Sequence, residues 1–140
     1  MLPSSFTVEM AGGTIQGEGG NQSHWRYGLD FYSGGKIHAT ENSIINTKVG
    51  GNWGSGHTIT IEVDNGKTLT FEGDYAGFSN TTAISKTDTG TLLYKGTEFS
   101  NALTISGGVF EYYYYNMEND REHSASISGA GTLLPSSFQG

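Results

Sequence analysis

The chain predicts an all-β fold built as a solenoid of about five to six short coils, and three observations carry that prediction. First, apolar and polar residues alternate within short runs punctuated by glycine, most clearly from Ala83 to Tyr115. This is the period-two pattern of strands joined by turns, not the 3.6-residue period of a helix. Second, a Gly-Gly phrase recurs. Phe6–Gln16 (FTVEMAGGTIQ) matches Asn101–Glu111 (NALTISGGVFE), with Val8 on Leu103, Met10 on Ile105 and Ile15 on Phe110, and Gly34-Gly35-Lys36-Ile37-His38 gives a third copy. Third, the corner Gly90-Thr91-Leu92-Leu93 returns as Gly131-Thr132-Leu133-Leu134. A phrase repeated at loose spacing marks an array in which each turn buries its apolar row on the next. An antiparallel β-sandwich is the alternative, because Asp64-Asn65-Gly66-Lys67 between two alternating runs is a strong local hairpin signal.

In chain order, Phe6–Met10 is a strand with Phe6, Val8 and Met10 on one face and Thr7 and Glu9 on the other. Ala11-Gly12-Gly13 turns the corner into Thr14–Gln16, and residues 17–23 form a loop. Residues 25–32 (WRYGLDFY) read as a strand with Tyr27, Leu29 and Phe31 on one face. After a Gly34-Gly35 corner come two short strands over 36–40 and 43–47, with Ile37, Ala39 and one or both of Ile44 and Ile45 inward. Residues 49–57 are a glycine-rich loop holding Trp53. TITIEV (58–63) and TLTFE (68–72) are strands, 73–82 is a loop, and 83–115 holds four more strands. Residues 116–124 (NMENDREHS) form a charged protruding loop, and 126–134 close the fold.

Composition narrows the function classes. The 140 residues are expected to make one domain, a single solenoid over 1–140. Hydrophobic content of 34% and charged content of 15% are both low, and Gly, Thr and Ser fill the difference as in turn-rich all-β proteins. A net charge of −7 with seven Lys and Arg leaves no basic stripe for nucleic acid and discourages contact with anionic membranes. With no cysteine there is no disulfide scaffold, so stability comes from stacking. No apolar run reaches the eighteen residues of a membrane helix, and MLPSSFTVEM shows neither a basic region nor an apolar core of a signal peptide. Leu2-Pro3-Ser4-Ser5-Phe6 is repeated as Leu134-Pro135-Ser136-Ser137-Phe138. The two readings are a piece of a longer array, or ends made alike so that copies associate, with Pro3 and Pro135 blunting the edges.

Lys86-Thr87-Asp88-Thr89-Gly90-Thr91-Leu92, followed by Leu103-Thr104-Ile105-Ser106-Gly107-Gly108-Val109-Phe110, resembles the repeat of bacterial autotransporter passenger domains. That repeat runs Lys-x-Gly-x-Gly-Thr-Leu and then Gly-Gly-x-Leu, and Asp88 departs from it where a Gly is usual. The match covers about a third of the chain, with echoes at 6–16 and 126–134. The resemblance implies a right-handed parallel β-helix, exported and displayed at or released from a bacterial surface, extracellular and without its own translocator barrel.

Chemistry-bearing constellations are sparse. Inverting hydrolysis of a polysaccharide needs two carboxylates about 6.5–9.5 Å apart. Asp30, Asp64, Asp74, Asp88 and Asp120 are instead scattered, mostly in turns where Asp caps backbone. No catalytic residue is assigned and no enzyme activity is expected. His24, His38, His57 and His123 lack ligand spacing and read as solvated imidazoles, so no metal or cofactor is expected. Gly50–Gly56 lacks the Lys-Ser/Thr and the helix of a phosphate loop. Aromatic residues remain. Alternation turns Phe110, Tyr112 and Tyr114 inward and Glu111, Tyr113 and Tyr115 outward, while Trp25 and Trp53 lie beside glycine-rich loops. Trp25, Trp53, Tyr113 and Tyr115 are therefore the candidate ligand residues, able to stack on sugars if exposed, and core or cross-strand packing residues if not. The expected partners are a glycan or cell-surface ligand at outward loops 17–24 and 116–123, and other copies of the chain at the solenoid ends. A structural or adhesive surface segment is thus expected, with a carbohydrate-binding module and a lyase- or hydrolase-like β-helix as the rivals.

Overall fold

A computed structural model describes residues 6–17, 28–31, 34–51, 57–79, 82–96, 99, 101–113 and 127–136. Among them are fifteen strands and no helix: β1 (Phe6–Met10), β2 (Thr14–Gln16), β3 (Gly28–Phe31), β4 (Gly34–Ala39), β5 (Ser43–Asn46), β6 (Lys48–Gly51), β7 (His57–Val63), β8 (Thr68–Glu72), β9 (Gly77–Phe78), β10 (Thr82–Thr87), β11 (Thr91–Lys95), β12 (Leu103–Ile105), β13 (Val109–Tyr113), β14 (Ile127–Ser128) and β15 (Thr132–Ser136). They form three sheets, ordered β1-β4-β7-β10-β12-β14, β15-β13-β11-β8-β5-β2 and β3-β6-β9. Every pairing among the described residues is parallel. The chain visits the first sheet, then the second, then on its first three passes the third, before moving up one level. The fold is a parallel β-solenoid, and the sandwich alternative is set aside by strand direction alone.

Rows of like residues hold the levels together. On the inner face of the first sheet, Phe6, Gly35, Ile59, Ile84, Leu103 and Ile127 stack in register at sequence steps of 29, 24, 25, 19 and 24 residues. Connections of unequal length explain why the phrase repeats without a fixed period. A second inner row runs Val8, Ile37, Ile61, Lys86 and Ile105. In the second sheet the inner rows are Ser43-Leu69-Leu92-Phe110-Leu133 and Ile15-Ile45-Phe71-Tyr94-Tyr112. The third sheet adds Phe31, Val49 and Phe78. Each fully buried Ile, Leu or Phe stabilises the stack by about 1.5–3 kcal/mol. Alternation places these side chains correctly, and it resolves the Ile44-Ile45 pair: Ile45 is buried and Ile44 faces out.

The phrases at Gly12-Gly13, Gly90, Gly107-Gly108 and Gly131 stack at one corner, between the first and second sheets. The backbone ladder continues through it: Thr40 N donates to Met10 O, Asp64 N to Ala39 O, Gly90 N to Val63 O, Ser106 N to Lys86 O and Gly131 N to Ile105 O. Gly108 has φ +67, and a Cβ there would sit 2.2 Å from Gly90 O and 2.9 Å from Lys86 Nζ. Only glycine meets both demands. One level below, Asp88 takes the left-handed conformation itself (φ 65) and its Oδ1 accepts from Thr89 N at 2.8 Å. Asp is among the few side chains that tolerate that region.

Three expectations change. Asp64–Lys67 is a corner and not a hairpin, because β7 and β8 enter different sheets. Lys67 N donates to Asp64 O at 3.0 Å, and Gly66 alone of the two central residues has positive φ (+75). That is the signature of a type II turn, whereas the hairpin-forming type I′ needs positive φ at both. Gly34-Gly35 is likewise not an equivalent corner. It lies within β4, where Gly35 leaves an opening in the inner row that the Phe31 ring fills; a Cβ on Gly35 would meet that ring at 2.2 Å. The loops expected over 49–57 and 73–82 contain β6 and the two-residue β9, strands too short or too glycine-rich to alternate visibly. The charged loop over 116–124 lies outside the described residues.

Candidate functional site

Outward columns follow from the same register. On the first sheet Glu9, His38 and Glu62 stand side by side on β1, β4 and β7. His38 Nε2–H donates to Asp64 Oδ1 at 2.7 Å, and its Nδ1 lies 3.7 Å from Glu62 Oε2 and 4.0 Å from Glu9 Oε2. Lys36 Nζ is 3.4 Å from Glu62 Oε2. The imidazole, expected to be free in solvent, is instead held by carboxylates on two neighbouring coils. Asp64 serves the turn through its carbonyl and the ring through its carboxylate. The hydrogen bond to Asp64 raises the His38 pKa; burial opposes this, and the charges of Glu62, Asp64 and Glu9 reinforce it. Among the described residues no group of three or more His, Asp or Glu is arranged to hold a metal ion.

The sign of this coupling gives a pH prediction. The folded state binds the His38 proton more tightly than the unfolded chain does. The added stability is therefore complete below the ordinary histidine pKa and is lost as pH rises through the raised value. Thermal unfolding between pH 5 and 9 should show stability falling across that window, and His38→Gln should flatten the fall. An unchanged slope in the variant would remove His38 as its source.

On the second sheet an outward stripe runs from amides to two side chains of opposite charge to a ring. Asn46 Nδ2 donates to Gln16 Oε1 at 3.3 Å, Glu72 and Lys95 are register partners, and Lys95 Nζ stands 5.3 Å from the Tyr113 ring centroid. Tyr113 faces outward as alternation predicts, half-buried, with one ring face serving a cation. Trp25, Trp53 and Tyr115 lie outside the described residues. Tyr112 packs inward on the core, its ring 5.9 Å from Tyr94 and 9° from parallel. A shallow groove of about 340 Å³ opens beside the corner, lined by Gly13, Thr14, Asn42, Ser43, Ile44, Thr68 and Thr70. Hydroxyl, amide and aliphatic groups line it, and no residue of its wall can serve as a general acid or base.

Lys86 is the second feature that residue-by-residue reading missed. It is fully buried in the inner row between Ile61 and Ile105, and Nζ donates to Thr87 O at 2.8 Å, Asp88 O at 3.3 Å and Gly107 O at 3.3 Å. Burial pulls its pKa down, and the Asp88 carboxylate partly restores it. All three donors are directed to corner carbonyls, so the ammonium serves the backbone and not a substrate. Strict alternation from Ile84 was the available signal. Comparison with protein-family models, curated proteins and solved structures finds no match to this chain.

Proposed function

We propose that the chain is a non-catalytic structural segment of an exported bacterial surface protein, a rigid stalk of the autotransporter-passenger kind. The observation that supports this most is the assignment of the conspicuous polar groups to the scaffold. Lys86 satisfies a corner, Asp88 shapes it, Asn101 Nδ2 donates to Ser79 O and Thr82 O at 2.6 Å each, and the His38 acids tie neighbouring coils. A scaffold of backbone ladders and inner rows resists bending, and its outward stripes and loops meet other surfaces. The stripe Gln16-Asn46-Glu72-Lys95-Tyr113 favours a second reading, glycan binding, since amides and charged groups bond hydroxyls beside a ring that stacks on a sugar.

Antibody raised against the folded segment should label intact source cells or their medium; labelling seen only after lysis would overturn the export reading. Release of reducing ends from acidic polysaccharides would replace the stalk with an enzyme. Retention on a glycan array that is lost in Tyr113→Ala would favour the binding module.

A further inference from the structure

We propose that the groove beside the corner is a binding site for one neutral sugar ring. The groove follows from corners of unequal length. Thr14, Ile44 and Thr70 are register partners on β2, β5 and β8, and Met10, Ala39 and Val63 are register partners on the strands before them. Between these two rows the chain spends three residues on the lowest of the three coils (11–13), four on the next (40–43) and six on the third (64–69). Surplus chain at the third corner has to project, and the groove lies beneath it, about 340 Å³ in volume and within the range of small-ligand sites. Lys67 Nζ stands 3.0 Å from Glu41 Oε2 and ties the third corner to the second.

Its floor is Ile44, half-buried, with Thr14 one ladder step (about 4.8 Å) to one side and Thr70 one step to the other. Asn42 Oδ1 accepts from Thr68 N at 2.9 Å. That bond fixes the orientation of the amide and leaves both Nδ2 hydrogens without a partner among the described residues. The hydroxyls of Thr14, Thr68 and Thr70 are likewise unpartnered among the described residues. Ser43 Oγ is used within the wall, accepting from Gly12 N at 3.1 Å and donating to Glu41 O at 2.9 Å. A hydroxyl both donates and accepts, and an amide NH2 donates. The ligand that answers such a wall carries hydroxyls of its own, and the aliphatic floor asks for a C–H face between them. A pyranose ring has both. No cation lines the groove to hold a phosphate or carboxylate, and Lys67, next to Thr68, is already paired with Glu41. The groove shares its ligand class with the second reading above but not its site, since Tyr113 takes no part in it.

Titration of the isotope-labelled full chain with glucose, galactose and mannose in turn, followed by nuclear magnetic resonance, tests the site. The best of the three should shift the backbone amides of Gly13, Ile44 and Thr70 and the side-chain NH2 of Asn42, saturating with a dissociation constant on the order of 1 mM. Thr14→Val and Thr70→Val keep the shape of the wall and remove one hydroxyl each. Either should weaken binding about threefold to tenfold, the effect of one lost hydrogen bond, with the rest of the spectrum unchanged. Galacturonate should bind more weakly than galactose, because Glu41 and the net charge of −7 oppose it. Glycerol, which has hydroxyls but no ring face, should give no localised shift. Absence of a saturable shift with all three sugars would overturn the proposal, as would binding that ignores both valine variants, or galacturonate or glycerol binding as well as galactose. Binding lost in Tyr113→Ala and unaffected by the valine variants would overturn the groove while leaving the outward stripe as the glycan site.

Discussion

Lys86→Met should destabilise the protein by about 2–4 kcal/mol, although methionine is apolar, close in length and set between two isoleucines. Replacing a buried charge by a hydrophobic side chain is often neutral or favourable, since the charge no longer has to be taken out of water. Here the opposing term is larger. The ammonium is the donor for carbonyls of Thr87, Asp88 and Gly107, drawn from two successive corners. Each acceptor left unmatched in the interior costs about 1–3 kcal/mol. Urea unfolding of wild type and variant measures the difference, and a variant as stable as wild type would mean that the ammonium is a liability the corner tolerates. The alkaline limb gives an independent check. The folded-state pKa of Lys86 lies below its unfolded value, so between the two the unfolded chain binds more protons and wild-type stability rises with pH. Subtracting the Lys86→Met curve should isolate that rise.

The same residue shows how far the fold could be read from the chain. Period-two alternation gave β1, β7, β8, β10 and β11 and the inner faces of Phe110 and Tyr112, because a strand exposes its orientation in every second residue. Applied without exception it also turns Lys86 inward, but polarity argues so strongly for solvent that the geometry is easily set aside. The reverse failure occurs at Asn65-Gly66. Local chemistry there favours a hairpin, and whether β8 pairs with β7 or crosses to the next sheet depends on Leu69 and Phe71 finding their rows, contacts that link distant levels. The His38 cluster was illegible for the same reason: Glu9, His38 and Glu62 are far apart in sequence and become neighbours only when the register is known. β9 was hidden by its length, since two residues cannot display a period.

Tyr94→Ala should be the most damaging single substitution in the chain, costing about 3–5 kcal/mol. Its ring is 1% exposed and lies among five others. Phe71 below and Tyr112 above belong to its own row, at 5.7 and 5.9 Å between centroids. Phe110 comes from the adjoining row at 6.3 Å, Phe78 from the third sheet at 5.6 Å, and Phe99 from the segment after β11 at 5.3 Å. Three are near-parallel to it within 20°, and Phe99 meets it edge-on at 68°. Each such geometry adds about 0.5–1.5 kcal/mol beyond area burial, without simple additivity. Among the described residues no strand pairing joins the third sheet to the second, and this cluster packs β9 against β8 and β11. Tyr94→Ala should therefore abolish the near-ultraviolet circular dichroism of the packed rings and lower the urea midpoint, while Tyr94→Leu, which refills much of the volume, should recover part of the loss. A cost below about 1 kcal/mol for Tyr94→Ala would place the stabilising weight of the solenoid in its aliphatic rows instead of its aromatic centre.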